Sequence, residues 1–392
     1  MTPTIVVLGA GFGGIATANR LRELLPPQHR VIVVDRSEDF FVGATKTWVM
    51  LGERSVAEIT QSRAALLAPG VEFACAEVTA IDVAARTVAS AGGVIAWDYL
   101  VVALGADVAM EGVPGLKEAA HTFYTLEGAE RLRGVIADFK GGDIAILMVK
   151  PPWKCPPAPY EAAMLLHAHF AARGVPVRIS IHTPEGIPMA TAGPEMGAFI
   201  KSQLESRGIV LNAKRQVVRV DGEGRRIHFA DGADAAFDLL LCVPVHAAPA
   251  VAREAGLTGG GPWIAVNPQT MEVGLDTAVG RVFAIGDVTT VSLPGRFKPD
   301  MPLVLPKAGV MAEAQGLVVA QRIADLAAGR TPSAEFDGRG FCYLELGRGE
   351  AVRAEGSFFN MPHPVMEKRA PDAAQLEDKH RWVAAHLRPV AR

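Results

Sequence analysis

"TIVVLGAGFGGIATANRLRELL", residues 4–25, decides the fold. An apolar run breaks at glycines and gives way at once to helical spacing, which reads as strand, tight turn, helix. Gly9, Gly11 and Gly14 form GxGxxG. A second apolar run, "RVIVVDRSE" (30–38), ends in Asp35, about 20 residues beyond the last glycine. Glycines at these positions let the backbone turn sharply and approach a pyrophosphate closely. The helix start adds free N–H groups and a favourable dipole, and the acidic residue accepts from a ribose. GxGxxG alone is weak. With a strand before it, a helix after it and Asp35 in place, it marks a Rossmann-like dinucleotide site.

Two later segments choose the dinucleotide. "YLVVALGA" (99–106) is a buried strand that ends at Gly105. "GRVFAIGDVTT" (280–290) is a late strand that ends in Gly286–Asp287. That late Gly-Asp resembles the FAD signature in which the aspartate bonds the ribityl chain. A single-cofactor NAD dehydrogenase has no use for it. The expected FAD-binding domain is discontinuous, residues 1–108 and 264–325.

A second βαβ unit follows. "KGGDIAILMVK" (140–150), "EAAMLLHAHFAARG" (161–174) and "VPVRISIHTPEG" (175–186) read as strand, helix, strand, within a second Rossmann-like domain over 109–263. Its first turn should carry a second glycine loop. It reads "MVKPPWKCPPAPY" instead, with no glycine. Prolines carry no N–H, so this loop cannot cradle a pyrophosphate. It can hold one side chain rigidly, and the side chain to hold is Cys155. Glu161 falls in the first turn of the following helix. It reads either as a helix-start carboxylate or as a proton acceptor for the cysteine. Lys150 and Lys154 flank the loop and read as solvated.

The other cysteines are Cys75, Cys242 and Cys342. None forms CxxC or a zinc-ligand spacing, so no metal site is expected. Cys75 and Cys242 alternate with apolar residues and read as core. His246 reads as a loop residue. "LVLPKAGVMAEAQGLVVAQRIADLAAGR" (303–330) reads as a long helix opened by Pro306. Lys307 beside a helix start opposes the dipole, and such a local conflict points to function. A cation there would stabilise the negative charge of a reduced flavin. Cys342 lies in the short apolar strand of "FDGRGFCYLELGRGEAV" (336–352), within a small C-terminal domain over 326–392.

Composition narrows the partners. The 392 residues carry 39 Lys plus Arg against 42 Asp plus Glu, a formal charge of -3 with no basic stripe, so nucleic acid is not expected. No apolar run has the roughly 18 residues of a spanning helix, and no signal-peptide pattern opens the chain. The expected location is cytoplasmic, with peripheral contact at the inner face of a membrane left open by the mean hydropathy of +0.22. "SFFNMPHPVM" (357–366) is the best apolar surface for such contact. The last stretch, "DKHRWVAAHLRPVAR", has an apolar face too sparse for a membrane helix.

Taken together, "GAGFGG", "VVALGA", "KCPPAPYE", "AIGD", "LPKAG" and "FCYLELGRGEA" resemble the sulfide:quinone oxidoreductase and flavocytochrome c sulfide dehydrogenase group of flavoproteins. The resemblance implies an α/β fold of two Rossmann-like dinucleotide-binding domains, glutathione-reductase-like, plus a small C-terminal α+β domain. It implies a redox disulfide between Cys155 and Cys342 above the flavin, Lys307 near the flavin, and Glu161 beside the first cysteine. It implies FAD bound on Gly9, Gly11, Gly14, Asp35, Gly105, Gly286 and Asp287. "DFFVGATKTW" (39–48) lacks the tethering cysteine of the flavocytochromes, so the FAD is expected to be noncovalent. "HTFYTLEGAERL" (121–132) lacks the third cysteine that many quinone-reducing members carry. The implied partners are sulfide or another small sulfur substrate, such as a persulfide or polysulfide, and a quinone or other electron acceptor; a homodimer stays open. Two rival readings stand beside this one. They are an NAD(P)H-dependent quinone or ferredoxin-type reductase, which needs the missing second phosphate loop, and a flavin-bound redox sensor or partner subunit that does not turn over.

Overall fold

The computed structural model describes residues 2–276 and 278–391. Its first sheet is parallel and runs Val282–Ala284, Tyr99–Val102, Thr4–Leu8, Arg30–Asp35, Val71–Cys75. The central strands are unbroken apolar runs because both faces are covered. On one face the helices Phe12–Leu24 and Gly309–Ala327 pack on Val7, Val33 and Val101. A second parallel sheet runs Val210–Asn212, Val177–His182, Gly142–Met148, Leu239–Val243. The helix Ala158–Ala172 lies on it, and its Tyr160, Met164 and Phe170 are fully buried. An antiparallel sheet, Arg339–Gly347, Glu350–Ser357 and Val365–Lys368, closes over that helix. The last helix, Ala373–His386, is capped by Asp372, whose side chain accepts from Gln375 N at 2.8 Å.

Two close approaches fix the first domain. Gly9 has φ +95°, and a Cβ on it would meet the Ala103 carbonyl oxygen at 2.4 Å, so the turn needs glycine. The helices Phe12–Leu24 and Gly309–Ala327 meet backbone to backbone, and a Cβ on Gly316 would stand 2.6 Å from Gly13 O.

Several expectations change. The helix read over 303–330 begins at Gly309, capped at Ala308. Pro306 and Lys307 precede it in extended chain, because Lys307 bridges the strand-like Lys154 segment instead. Cys75 is exposed, because its strand is a sheet edge paired only to Arg30–Asp35. Cys242 is fully buried. His246 is a buried strand residue in Val245–Ala247, and its Nδ1 lies 2.8 Å from Pro244 O. In "SFFNMPHPVM", Phe358 belongs to the core and Phe359 packs edge-on to Phe336, which leaves Met361, Pro362 and Val365 as the exposed apolar residues. Among the described residues, no helix is long and apolar enough to cross a membrane.

A bulky residue at the helix crossing has nowhere to go. Gly316→Leu is expected to destabilise the fold by about 1–3 kcal/mol, read as a lower urea midpoint. An unchanged midpoint would mean that the two helices are not in register at Gly13 and Gly316.

Candidate active site

One cavity of about 1700 Å³ opens between the two dinucleotide-type domains and runs beneath the C-terminal sheet. Gly9, Gly11, Asp35, Gly105 and Asp287 line its first half. A Cβ on Gly11 would meet nothing within 4 Å, so its missing side chain leaves room at the start of the helix Phe12–Leu24. Gly14 instead serves packing, since a Cβ there would overlap Gly9 O. Asp35 accepts from Ala10 N at 2.7 Å and Ser37 N at 3.0 Å. Arg63, buried, stands 3.5 Å from Asp35 and donates to Ser37 O at 2.9 Å and to Ala10 O. Arg63 locks the turn and had no sequence signal, since it lies far from the motif. Gly286 holds the end of its strand against the helix Gly309–Ala327, donating to Gln315 Oε1 at 2.7 Å. Asp287 Oδ1 is buried without a hydrogen-bond partner. An orphaned carboxylate oxygen in a cavity wall fits a hydroxyl donor, as the ribityl chain of FAD supplies. With the glycine turn and Asp35 in line, the residues present fit FAD.

Cys155 sits where the two halves meet. The segment Pro151–Pro157 crosses from the strand Gly142–Met148 to the helix Ala158–Ala172. Cys155 adopts φ +53°, a left-handed conformation unusual for a residue with a Cβ. Such a conformation costs on the order of 1–3 kcal/mol and persists only where the surroundings impose it. Here Cys155 N donates to Lys307 O at 2.8 Å, and Ala158 N donates to Cys155 O at 3.0 Å. The loop is thereby tied to the first domain, and its sulfur lines the cavity.

Cys342 reaches the same cavity from the strand Arg339–Gly347. Both thiols are free in this structure and half-buried. Burial pushes Cys155 up to about 11, with the Glu161 carboxylate adding to the rise. Burial, then Cys155 itself, pushes Cys342 up to about 12.

Beneath them lies a buried ionic cluster. Glu161 accepts from Glu345 N at 2.9 Å, and Lys379 reaches Glu161 at 3.2 Å while also bonding Glu345. Glu345 accepts further from Trp48 Nε1 at 2.7 Å. Lys379 is 1% exposed and the two carboxylates 5% each. One ammonium faces two carboxylates. Burial pushes Glu161 up to about 7, against the downward pull of Lys379, and Glu345 adds to the rise. Burial would lower Lys379, but Glu161 and Glu345 hold its ammonium above the ordinary value. Glu161 is a first-turn residue of its helix, and burial favours its protonated form.

The chain has a matching relative in every comparison. The family model described as pyridine nucleotide-disulphide oxidoreductase matches residues 3–147 and 153–316. The chain belongs to this family. It is an FAD-dependent oxidoreductase. Among curated relatives, it is 22% identical over 372 residues to the mitochondrial sulfide:quinone oxidoreductase of Mus musculus, covering 91% of this chain and 79% of that one. It is 27% identical over 345 residues to the sulfide-quinone reductase of Aquifex aeolicus, covering 82% and 76%. The solved sulfide:quinone oxidoreductase of Aquifex aeolicus superposes with a TM-score of 0.85 at 22% identity, over 98% of this chain and 90% of that one. The fold is thus shared across nearly the whole length.

Within this flavoprotein fold, Lys307 is placed differently from a free cation at a helix start. It is buried, and its ammonium donates to Asp287 O at 2.9 Å and Thr289 O at 2.6 Å over the Trp263 ring at 3.4 Å. Burial lowers it to about 8. Lys154 is not solvated: it lines the cavity and is lowered by burial, whereas Lys150 is exposed. Trp382 of the last helix faces inward. It stacks on Phe12 at 5.6 Å and 6° and meets Phe341 edge-on at 6.3 Å. Arg353 lies over Phe341 at 4.3 Å and binds Asp378 at 2.8 Å, which fastens that helix beside Cys342.

Removing the cation of the cluster leaves two buried carboxylates facing each other. Lys379→Met is expected to destabilise by about 3–5 kcal/mol near neutral pH, and by less near about pH 5.5, where carboxylates take up protons. Urea midpoints at both pH values measure this. Glu161 adds a sign. Its pKa is raised on folding to about 7 from 4.5. Its contribution is therefore complete below about pH 4.5 and is lost as pH rises through about 7. Glu161→Gln should flatten that slope, and an unaltered slope would contradict the assignment.

Proposed function

We propose that this chain oxidises sulfide through a redox pair formed by Cys155 and Cys342 and passes the electrons to a quinone. The observation that carries this reading is that two half-buried cysteines, one from the loop Pro151–Pro157 and one from the C-terminal sheet, line the cavity that also holds the FAD cradle. The relatives named as sulfide:quinone oxidoreductases support the substrate and acceptor.

In the oxidised chain the two sulfurs are joined. Hydrosulfide attacks one sulfur and breaks the S–S bond, so that one cysteine carries a persulfide and the other leaves as a thiolate. A second hydrosulfide or another thiolate then takes the outer sulfur, and the second cysteine is also released as a thiolate. As the two thiolates rejoin, their electron pair leaves the sulfurs; FAD, held on the cradle of Gly9, Gly11, Asp35 and Asp287, would supply the two-electron acceptor that passes the pair on to a quinone. The chain's own residues do the rest. The Glu161–Lys379–Glu345 cluster takes and returns a proton beside the sulfurs. The loop Pro151–Pro157 keeps Cys155 from following its leaving partner. The rings of Phe12, Phe341 and Trp382 give a flat acceptor an aromatic wall. The glycine-free loop at 149–157 offers no second pyrophosphate cradle, so a nicotinamide dinucleotide is not the donor.

Anaerobic addition of sulfide is expected to bleach the flavin of the purified chain, and NADH is not. Cys155→Ala and Cys342→Ala should each slow the bleaching by at least about 100-fold with flavin content retained. Rapid bleaching by NADH, or sulfide bleaching unchanged in either variant, would overturn the reading.

A further inference from the structure

We propose that His386, paired with Glu313, is a positioning residue that holds the Trp382 ring on Phe12 in the cavity wall, and that it does so as an imidazolium. His386 ends the helix Ala373–His386, and Phe12 and Trp382 both line the cavity. Phe12 is a fixed platform. Its ring lies so close to the start of the helix Gly309–Ala327 that a Cβ on Gly309 would stand 2.7 Å from it, and Phe40 meets it edge-on at 5.2 Å. Trp382 lies on that platform. The His386 ring packs against both, with its centroid 4.6 Å from that of Trp382 and 5.1 Å from that of Phe12.

The two ring nitrogens decide the charge. Nδ1 lies 2.8 Å from Trp382 O, and Nε2 lies 3.2 Å from a Glu313 carboxylate oxygen. A backbone carbonyl and a carboxylate only accept. A neutral imidazole has one N–H and could serve one of them; the imidazolium serves both. The surroundings favour the same form. The ring stands in the last turn of its helix, where a cation complements the dipole, and beside two aromatic rings. The helix Gly309–Ala327 presents the charged Glu313 to it, the helix Phe12–Leu24 presents the uncharged Phe12, and its own helix presents the carbonyl and ring of Trp382. Burial lowers the ring's pKa, but the bonds to Glu313 and Trp382 O and the Glu313 charge together raise it above the ordinary 6.5. The hold is therefore complete below about pH 6.5 and is lost as pH rises through the raised value. Two bonds without titrating groups fasten the chain just beyond, from Gln61 to Leu387 O at 3.2 Å and from Val390 N to Ala65 O at 2.9 Å. Loss of the charge thus loosens the Trp382 turn and leaves the helix docked. The aromatic face offered to the cavity is firm in acid and looser in alkali.

This inference goes beyond the sulfide reading and does not rest on it, and its test uses neither sulfide nor quinone. The flavin-loaded full-length chain is followed by amide hydrogen exchange with mass spectrometry at about pH 6 and about pH 9, corrected for intrinsic exchange. Protection of the peptide covering 380–388 is expected to fall about threefold across that range, the size of a partly exposed ion pair. Glu313→Gln should show the lower protection already at about pH 6 and little further change at about pH 9. A parent chain whose protection there does not fall, or a variant whose profile superimposes on the parent's, would overturn the proposal. If Glu313→Gln does not fold, the parent chain alone decides. Exchange of the His386 C2 proton, read by mass spectrometry, should give a titration midpoint above 6.5, and a midpoint at or below that value would overturn the proposal.

Discussion

The hydrogen bond from Cys155 N to Lys307 O, 2.8 Å long, joins the two domains at the site. It makes a one-residue parallel bridge between Lys154 and Lys307. On one side lies the loop that replaces the second dinucleotide cradle. On the other lies the segment that leads into the helix Gly309–Ala327. Without that bridge Cys155 would have no reason to keep a left-handed backbone, and its sulfur would not be fixed against the first domain. The same bridge explains why Lys307 is drawn out of the helix. Its carbonyl serves Cys155 while its ammonium serves Asp287 and Thr289. One short segment therefore holds both Cys155 and the Asp287 wall of the cavity.

Charge around the sulfurs is distributed in two tiers. The deep tier is Glu161, Lys379 and Glu345, with Trp48 completing the set. It is fully buried, and both carboxylates bind the Lys379 ammonium. The shallow tier is Lys46 and Lys154 on the cavity wall, where burial depresses both amines. The last helix, Ala373–His386, supplies Lys379 to the deep tier and Trp382 to the aromatic wall, and it is docked through Arg353 and Asp378.

Much of this was legible in the sequence, and the limits are physical. Gly9, Gly11, Gly14 and Asp35 are readable because a tight turn, an open helix start, close packing and a ribose acceptor fall at short, fixed spacing within one βαβ unit. Cys155 is readable because four prolines and no glycine occupy a position where glycine is required. Lys379 gave no signal. It stands in a thin, charged helix that reads as solvated, and its partner Glu161 is 218 residues away. Glu345 is hidden for the same reason. Lys46 sits in a stretch that composition marks only as lacking a cysteine. Cys75 was misread because alternation within a strand cannot tell an edge from a centre. Lys307 was noticed through a real local conflict, a cation before a helix, but the conflict was settled by moving the helix start to Gly309. Local motifs survive translation into structure, whereas pairings across hundreds of residues need the fold.

The central claim is that Cys155 and Cys342 form one redox couple. Its most direct measurement is peptide mapping of the purified, air-oxidised chain without reductant, repeated after anaerobic sulfide. The account predicts a disulfide-linked pair of peptides containing Cys155 and Cys342 before sulfide, and the loss of that link with a persulfide on one of the two afterwards. Recovery of both cysteines as free thiols from catalytically competent, oxidised protein would contradict it.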